Sequence, residues 1–510
     1  MGENRDQVIT TGVQGLDVVL NGGLPAGHVY LLEGNPGSGK TTIALQFLRE
    51  GVKLGERVLY VTLSETRWEI EKIARSHGWD MAGIMVHDLA ESLGTVTEDD
   101  QYTVFRPSEV ELGETSKKIV AQIEKHNPTR VVIDSLSEIR LLARDPLRYR
   151  RQVLGFKHFF IGRGSTVLLI DDMTAADGDD QPQSIVHGII QLDRVGVDYG
   201  AERRRIRIAK LRGQAFRGGH HDLIINRGGI EVFPRLVASH HEVKFKDEPT
   251  SSGIKELDML LGGGLDRGTS TLITGPAGTG KSAIATQFAH TALERGEKVA
   301  IFAFEENQRI ACRRAAALGT EITTHIESGR CSFRHTDPAE LSPGEFAALV
   351  RRSVEQEGAT TIVIDSLNGY LNAMPEERFL TAQLHELLAY LNHRGVVTIM
   401  VLVQRGMMGP SMSPPVDVSY LSDSIILLRH FEAFGAVRKA ISVVKKRSGS
   451  HEDTIRELRF EPGRVRVGET LERFRGVLTG VPMYVGTEGS LLRDERAGTA
   501  RAGAAREGGV

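Results

Sequence analysis

Two short runs, GNPGSGKT at 34–41 and GPAGTGKS at 275–282, set glycines, a lysine and a hydroxyl at the spacing G-x-x-x-x-G-K-[ST]. This spacing suits the cradling of a nucleotide's phosphates. Glycines let the backbone turn close to the anion, so that successive N–H groups and the start of the next helix point at it. The candidate ATP-binding residues are Gly34, Asn35, Pro36, Gly37, Ser38, Gly39, Lys40, Thr41 and Thr42 in the first run. Their counterparts in the second are Gly275, Pro276, Ala277, Gly278, Thr279, Gly280, Lys281, Ser282 and Ala283. Lys40 and Lys281 are expected to reach the β- and γ-phosphates, and the hydroxyls of Thr41 and Ser282 to ligate Mg²⁺.

Carboxylates follow each run at matching places. Asp134 ends the apolar stretch VVIDS and Asp365 ends TIVIDS. From a strand end downstream of a phosphate loop, each is expected to hold the magnesium shell. Upstream, VTLSET (61–66) carries Glu65, and FAFEEN (302–307) carries Glu305 and Glu306. This position resembles the one that faces the γ-phosphate in RecA-type ATPases, where a carboxylate can take the proton of the attacking hydroxyl. Glu65, Glu305 and Glu306 are therefore the candidate catalytic acids. Glu65 aligns with Glu306 and Ser64 with Glu305, so the two copies are expected to differ in hydrolysis.

The elements that must position these groups come as a repeat. Gly12–Thr66 aligns without a gap on Gly253–Asn307, with about twenty identities in roughly 55 positions, which marks duplication of a whole domain. In each copy short, continuous apolar runs such as HVYLLEG, RVVIDSL, TSTLITG and VVTIMVLV alternate with helical patterns such as TTIALQFLREGVKLG. That predicts an α/β fold: two tandem P-loop domains, each a mostly parallel sheet flanked by helices on both faces. The expected domains are 1–237 and 238–486, with a flexible Gly/Ala/Arg-rich tail at 487–510.

Composition narrows the function. A net charge of −3 over 510 residues gives no basic excess for a polyanion partner. The two cysteines, Cys312 and Cys331, fit no zinc spacing or disulfide framework. The first residues lack a hydrophobic signal segment, and the longest apolar run, of about eight residues, is far short of a membrane span. A cytoplasmic protein with no membrane association is expected. The histidine pairs at 220–221 and 240–241 read as solvated loops, and Arg203–Arg205 as a solvated hairpin edge.

The doubled domain, both phosphate loops, the acid-bearing strands, AERRRIRIAKLRG (201–213), SDSIILL (422–428) and RFRGVLTGVP (473–482) together resemble the KaiC family of RecA-like ATPases. The likeness runs to about residue 486. It implies a homohexamer of two stacked rings, with ATP at subunit boundaries. The first ring would be a slow ATPase, and the second a serine/threonine autokinase with reverse phosphatase activity. It further implies cations acting from a neighbouring chain, namely Lys210 and Arg212 in the first ring and Lys445, Arg447 and His451 in the second. Ser419 becomes the acceptor, with Tyr420 as rival where the family has threonine, and a KaiB-like or signalling protein the partner class. Ser64, Phe216 (where the family has histidine), Pro414 and Asn372 (where it has arginine) depart from the family pattern. Two other readings compete. One is a nucleotide-gated scaffold without phosphotransfer. The other is a nucleic-acid motor, against which stand the five aspartates and absent cations of DDMTAADGDDQPQ at 171–183.

Overall fold

A computed structural model describes residues 7–89, 107–172, 181–196, 200–372, 380–404, 419–478 and 482–485. The chain forms two compact units, Met1–Arg235 and Leu236–Val510. Each is built on a nine-stranded sheet, as tandem RecA-like α/β domains require.

In the first unit the strands are β1 (Val29–Gly34), β2 (Val58–Thr62), β3 (Ile84–Asp88), β4 (Arg130–Asp134), β5 (Thr166–Asp172), β6 (Gly188–Val195), β7 (Arg203–Leu211), β8 (His221–Asn226) and β9 (Gly229–Phe233). Their order is β9-β8-β7-β6-β1-β5-β4-β2-β3. From β6 to β3 the neighbours are parallel; β7, β8 and β9 extend the sheet antiparallel. The second unit repeats the plan with β10 (Ser270–Gly275), β11 (Val299–Ala303), β12 (Cys331–His335), β13 (Thr361–Asp365), β14 (Val397–Val403), β15 (Ser424–Ala433), β16 (Ala436–Lys446), β17 (Ile455–Glu461) and β18 (Arg464–Thr470). Its order is β12-β11-β13-β14-β10-β15-β16-β17-β18.

The apolar runs are continuous because these strands bury both faces. Every residue of β1, β2, β10 and β11 is buried. Helix Lys40–Lys53 packs on one face of the first sheet among Leu16, Phe47 and Tyr60, while Ile119, Tyr149 and Phe160 cover the other. Arg130 is fully buried at the start of β4, where its position is kept by pairing. Its guanidinium binds Glu56 twice, at 2.8 and 3.0 Å, and donates to the carbonyls of Thr10 and Phe47. A buried charge is tolerable only when its donors are satisfied in this way.

Parallel pairing gives each sheet a polarity. β1, β2, β4 and β5 end together, as β10, β11, β13 and β14 do, and the phosphate loops and acids lie at those ends. Two readings made from the sequence alone are corrected. Asp171 and Asp172 belong to the end of β5, so the acidic segment between strands begins only at 173, outside the described residues. Arg203–Arg205 is no solvated edge: Arg203 is buried, Arg205 faces Asp222 at 3.4 Å, and Arg204 donates to the carbonyl of Gly37 at 3.3 Å. Among the described residues no helix is long and apolar enough to cross a membrane.

Candidate active sites

Both phosphate loops run from a strand end, at Gly34 or Gly275, to a helix that starts at Lys40 or Lys281. Glycine is required at the turn into each helix. Gly39 and Gly280 have φ of 106° and 100°, and a Cβ on Gly280 would lie 2.0 Å from the Phe460 ring. The candidate phosphate-binding residues of each run are thus contiguous around a tight loop that opens a helix, which fits a phosphate chain. Among the described residues, the buried Ser38 hydroxyl and the Oε2 of Glu65 have no hydrogen-bond partner.

In the second unit the lysine is lightly engaged. Lys281 Nζ donates to the Pro276 carbonyl at 2.7 Å. Burial pulls its pKa down to about 8, against the pull of Asp365 and Glu305. Burial raises the pKa of the Asp365 carboxyl, and the nearby Ser282 hydroxyl offsets part of that rise. A hydroxyl beside a carboxylate is a hard oxygen pair suited to Mg²⁺, so Ser282 and Asp365 would hold that ion, which would neutralise phosphate charge there. Glu305 is exposed and accepts from Ser366 at 2.6 Å. Glu306 is occupied otherwise: Arg314 grips it at 2.6 and 3.3 Å and also reaches Thr286. Of the aligned pair, Glu305 is the acid left to face a substrate.

The first unit is arranged differently. Strand register confirms the alignment, since Thr62 lies beside Asp134 as Ala303 lies beside Asp365. Thr62, however, has a hydroxyl that Ala303 lacks. It donates to the Glu65 carbonyl at 2.5 Å and accepts from the Glu65 N–H at 3.1 Å, pinning the turn. Glu65 is drawn inward. Burial, with Asp134, Glu69 and Asp172 nearby, raises its pKa to about 7, against the pull of Lys40. The Glu65 carboxyl therefore belongs to the acid cluster around the phosphate-loop lysine, the surroundings that Glu305 has in the second unit, although it aligns with Glu306. Asp134 is also capped: Tyr60 donates to it at 2.5 Å, and Thr41 lies within hydrogen-bonding reach of both. The place of Tyr60 is taken by Ile301 in the second unit.

Lys40 is saturated. Its ammonium donates to the carbonyls of Gly34 (2.7 Å) and Asn35 (3.1 Å) and pairs with Asp172 at 2.8 Å. Asp172 stands beside Gly34 in the register where the second unit has Val403 beside Gly275. Sequence reading missed this acid by assigning it to a loop; its place at the end of an apolar strand was the available signal. Its neighbour Asp171, raised by burial to about 6 against the pull of Arg140, forms a close ion pair with that arginine.

The cations expected to act from a neighbour sit at the other end of each sheet. Lys210 lies opposite Ile189 near the start of β6, and Arg212 N–H bonds the carbonyl of His187. Arg447 N–H likewise bonds Asp423, beside Ser270 at the start of β10. The start of β6 lies beside Tyr30, four residues of extended chain or about 13 Å from Gly34, and Ser270 lies five residues, about 16 Å, from Gly275. Matching contacts recur in both units. Arg212 donates to Ser184 O at 3.3 Å and Arg447 to Tyr420 O at 2.9 Å, while Lys210 holds Gln183 O and Lys445 holds Ser422 O, each at 2.6 Å. His451 faces Asp453 at 3.3 Å.

The acceptor candidates divide by exposure. Ser419 opens the 3₁₀ turn Ser419–Leu421, and its side chain lies outside the described atoms. Tyr420 is 54% exposed, whereas Ser422 and Ser424 are buried and closed to a nucleotide on a neighbour. Pro414 and the Asn372 side chain lie outside the described residues. Phe216 packs against the first unit's core. His221 is no loop histidine; it is buried in β8, accepting from Arg235 N–H at 2.8 Å and bonded to the Arg217 carbonyl. His241 packs edge-on against Tyr390.

A family model described as "ATPase: KaiC" matches residues 9–237 and 250–472. The chain is similar to the circadian clock protein KaiC3 of Synechocystis sp., 27% identical over 484 residues, which cover 93% of this chain and 94% of that protein. It is similar also to the circadian clock oscillator proteins KaiC of Picosynechococcus sp. (26% identical, 94% of this chain and 93% of that one) and of Thermostichus vulcanus (25%, covering 94% and 92%).

Proposed function

The chain belongs to the KaiC family of ATPases, and from that premise we propose that it is a Mg²⁺- and ATP-dependent homohexamer in a timing or signalling role. Its second unit transfers phosphoryl groups to Ser419 of a neighbouring chain. The observation that carries this reading is the common address of acceptor and cations. Arg447 holds the Tyr420 carbonyl in the turn that contains Ser419, and Lys445 holds the Ser422 carbonyl just after it, at the sheet end about 16 Å from that unit's own phosphate loop. Groups so placed cannot serve their own nucleotide and are available to that of a neighbour.

In the transfer Glu305 takes the proton of the serine hydroxyl as its oxygen attacks, and Lys281 offsets charge on the phosphoryl oxygens. Ser282 and Asp365 supply the oxygen ligands for Mg²⁺. Lys210 and Arg212 play the corresponding cationic role in the first unit, where Glu65 is the base for hydrolysis. A KaiB-like or other signalling protein is the partner class that the relatives suggest.

The second reading, a nucleotide-gated scaffold without phosphotransfer, draws on the saturated Lys40 and the capped Asp134 of the first site. Incubation with γ-labelled ATP and mapping of the labelled peptide separates the two. Label at Ser419 that is lost in Ser419→Ala and strongly reduced in Glu305→Gln is expected, with light scattering showing a hexamer under saturating Mg-ATP. Absence of label in the wild-type chain establishes the scaffold instead, and undiminished label in Ser419→Ala moves the acceptor to Tyr420.

A further inference from the structure

The helix that opens at Lys281 closes on a second cluster of ligating side chains. His290 and Glu294 are four residues apart on its last turns, a spacing that puts both on one face. His325, from the short helix Thr323–Glu327, meets them there. One ligand atom from each of the three lies within 4.8 Å of the others. His290 is nine residues beyond Lys281, about 13 Å along the helix, so this cluster is separate from the phosphate site.

We propose that His290, Glu294 and His325 bind a divalent transition-metal ion of the zinc class. Two imidazoles and a carboxylate favour zinc, cobalt or nickel over magnesium, which prefers all-oxygen shells. Three protein ligands with the fourth place left to water is a common zinc arrangement. Two details point to a ligand. The Nδ1 of His290 lies 2.9 Å from the Glu321 carbonyl, and donating its proton there leaves Nε2 with a free lone pair. Such an outer hydrogen bond is the usual orienting partner of a metal-bound histidine. His325 is 5% exposed and turns its Nε2 into the cluster, 3.0 Å from Glu294 Oε1. Tetrahedral ligands about 2.1 Å from zinc stand about 3.4 Å apart, so the widest pair in the cluster has to close by at most about 1.4 Å. Glu294 is the group free to move, being 60% exposed at the mouth of the site. Bound metal would staple the end of the phosphate-loop helix to the segment leading into edge strand β12.

The first unit provides an internal contrast. The gap-free alignment puts Arg49 and Lys53 where the second unit has His290 and Glu294, and neither side chain ligates zinc. Arg49 instead lies 4.5 Å over the Trp79 ring.

The test uses the full chain, stripped with EDTA and titrated with Zn²⁺ against a chromophoric chelator in the presence of Mg²⁺, and separately with Co²⁺. Wild type is expected to bind one more tight equivalent of zinc than His290→Ala or Glu294→Gln. Each substitution weakens that equivalent by at least about a hundredfold, since even outer partners of metal ligands are worth about 10- to 100-fold. Cobalt should give the visible absorption of a tetrahedral site in wild type only. Glu294 is exposed and His290 half-buried, and the circular dichroism of both variants checks that the fold is retained. Identical zinc titrations for wild type and both variants, or a wild-type chain with no tight zinc, overturns the assignment and leaves only an ion pair between His325 and Glu294.

Discussion

Replacing Asp172 with valine should tighten nucleotide binding at the first site. Lys40 has three N–H donors, and the protein takes all of them, through Gly34, Asn35 and Asp172. A phosphate oxygen must displace one, and Asp172 is the partner whose negative charge also repels it. A charge-assisted hydrogen bond contributes about 1.5–3 kcal/mol, which corresponds to roughly 10- to 150-fold in affinity. Asp172 is 34% exposed, so solvent screening sets the expected gain at the lower end, about tenfold. Valine is the test residue because Val403 occupies the same register position in the second unit. The measurement is equilibrium titration with a fluorescent ATP analogue in a Lys281→Ala background, which silences the second site. Asp172→Asn should fall between valine and wild type, because the amide still accepts from Lys40 without the charge. Unchanged or weakened affinity in Asp172→Val would refute the idea that this ion pair competes with nucleotide.

In the same Lys281→Ala background, kcat/KM for ATP hydrolysis should rise with pH and level off above an inflection near 7. Burial and the neighbouring acids hold Glu65 protonated below that value, and a base acts only when ionised. Glu65→Gln should be inactive across the range, and a flat wild-type profile between pH 6 and 8 would remove Glu65 from the role. Ser64→Glu should raise turnover if a second acid is limiting; no change means that the inward-drawn Glu65 suffices. Gly280→Ala should lower the melting temperature more than Gly39→Ala does. Its Cβ meets the Phe460 ring at 2.0 Å, whereas on Gly39 the nearest atom, 2.8 Å away, is the terminal methyl of Ile230. Overpacking costs about 1–3 kcal/mol and the left-handed φ about 1–2 more; equal effects in the two units would contradict this ranking.

The strands and phosphate loops were legible because their signals are local. VYLLEG and STLITG are continuous apolar runs, and glycines recur where the backbone has to turn left-handed. The gap-free alignment also set Ser64 opposite Glu305. What it did not disclose was which carboxylate reaches the lysine, since that depends on groups brought in from other strands. Arg314 takes Glu306 out of the site, while Thr62 turns Glu65 into it. Asp172, read as part of an acidic loop, joins Lys40 only because β5 lies beside β1. Arg204 looked solvated for a similar reason, since the carbonyl of Gly37 comes from 167 residues away, whereas the Arg235 N–H that His221 meets comes round a hairpin 14 residues on. The His290, Glu294 and His325 cluster escaped notice because its third member arrives across 31 residues of sequence from Glu294.

The polarity of the sheets bears on how defective chains behave when mixed. Under the proposed assembly, a chain with its phosphate loop at one end of the sheet and Arg447 at the other has a receiving side and a donating side, and head-to-tail contacts of that kind can close into a ring. A chain crippled at Lys281 can still donate, and one crippled at Arg447 can still receive. Two inactive proteins combined in equal amounts before assembly would then recover activity at about a quarter of their junctions, those pairing an intact receiver with an intact donor. In a cell carrying one normal and one altered copy, either lesion alone would leave about half of the junctions active, because each altered chain spoils one junction and still serves in the other.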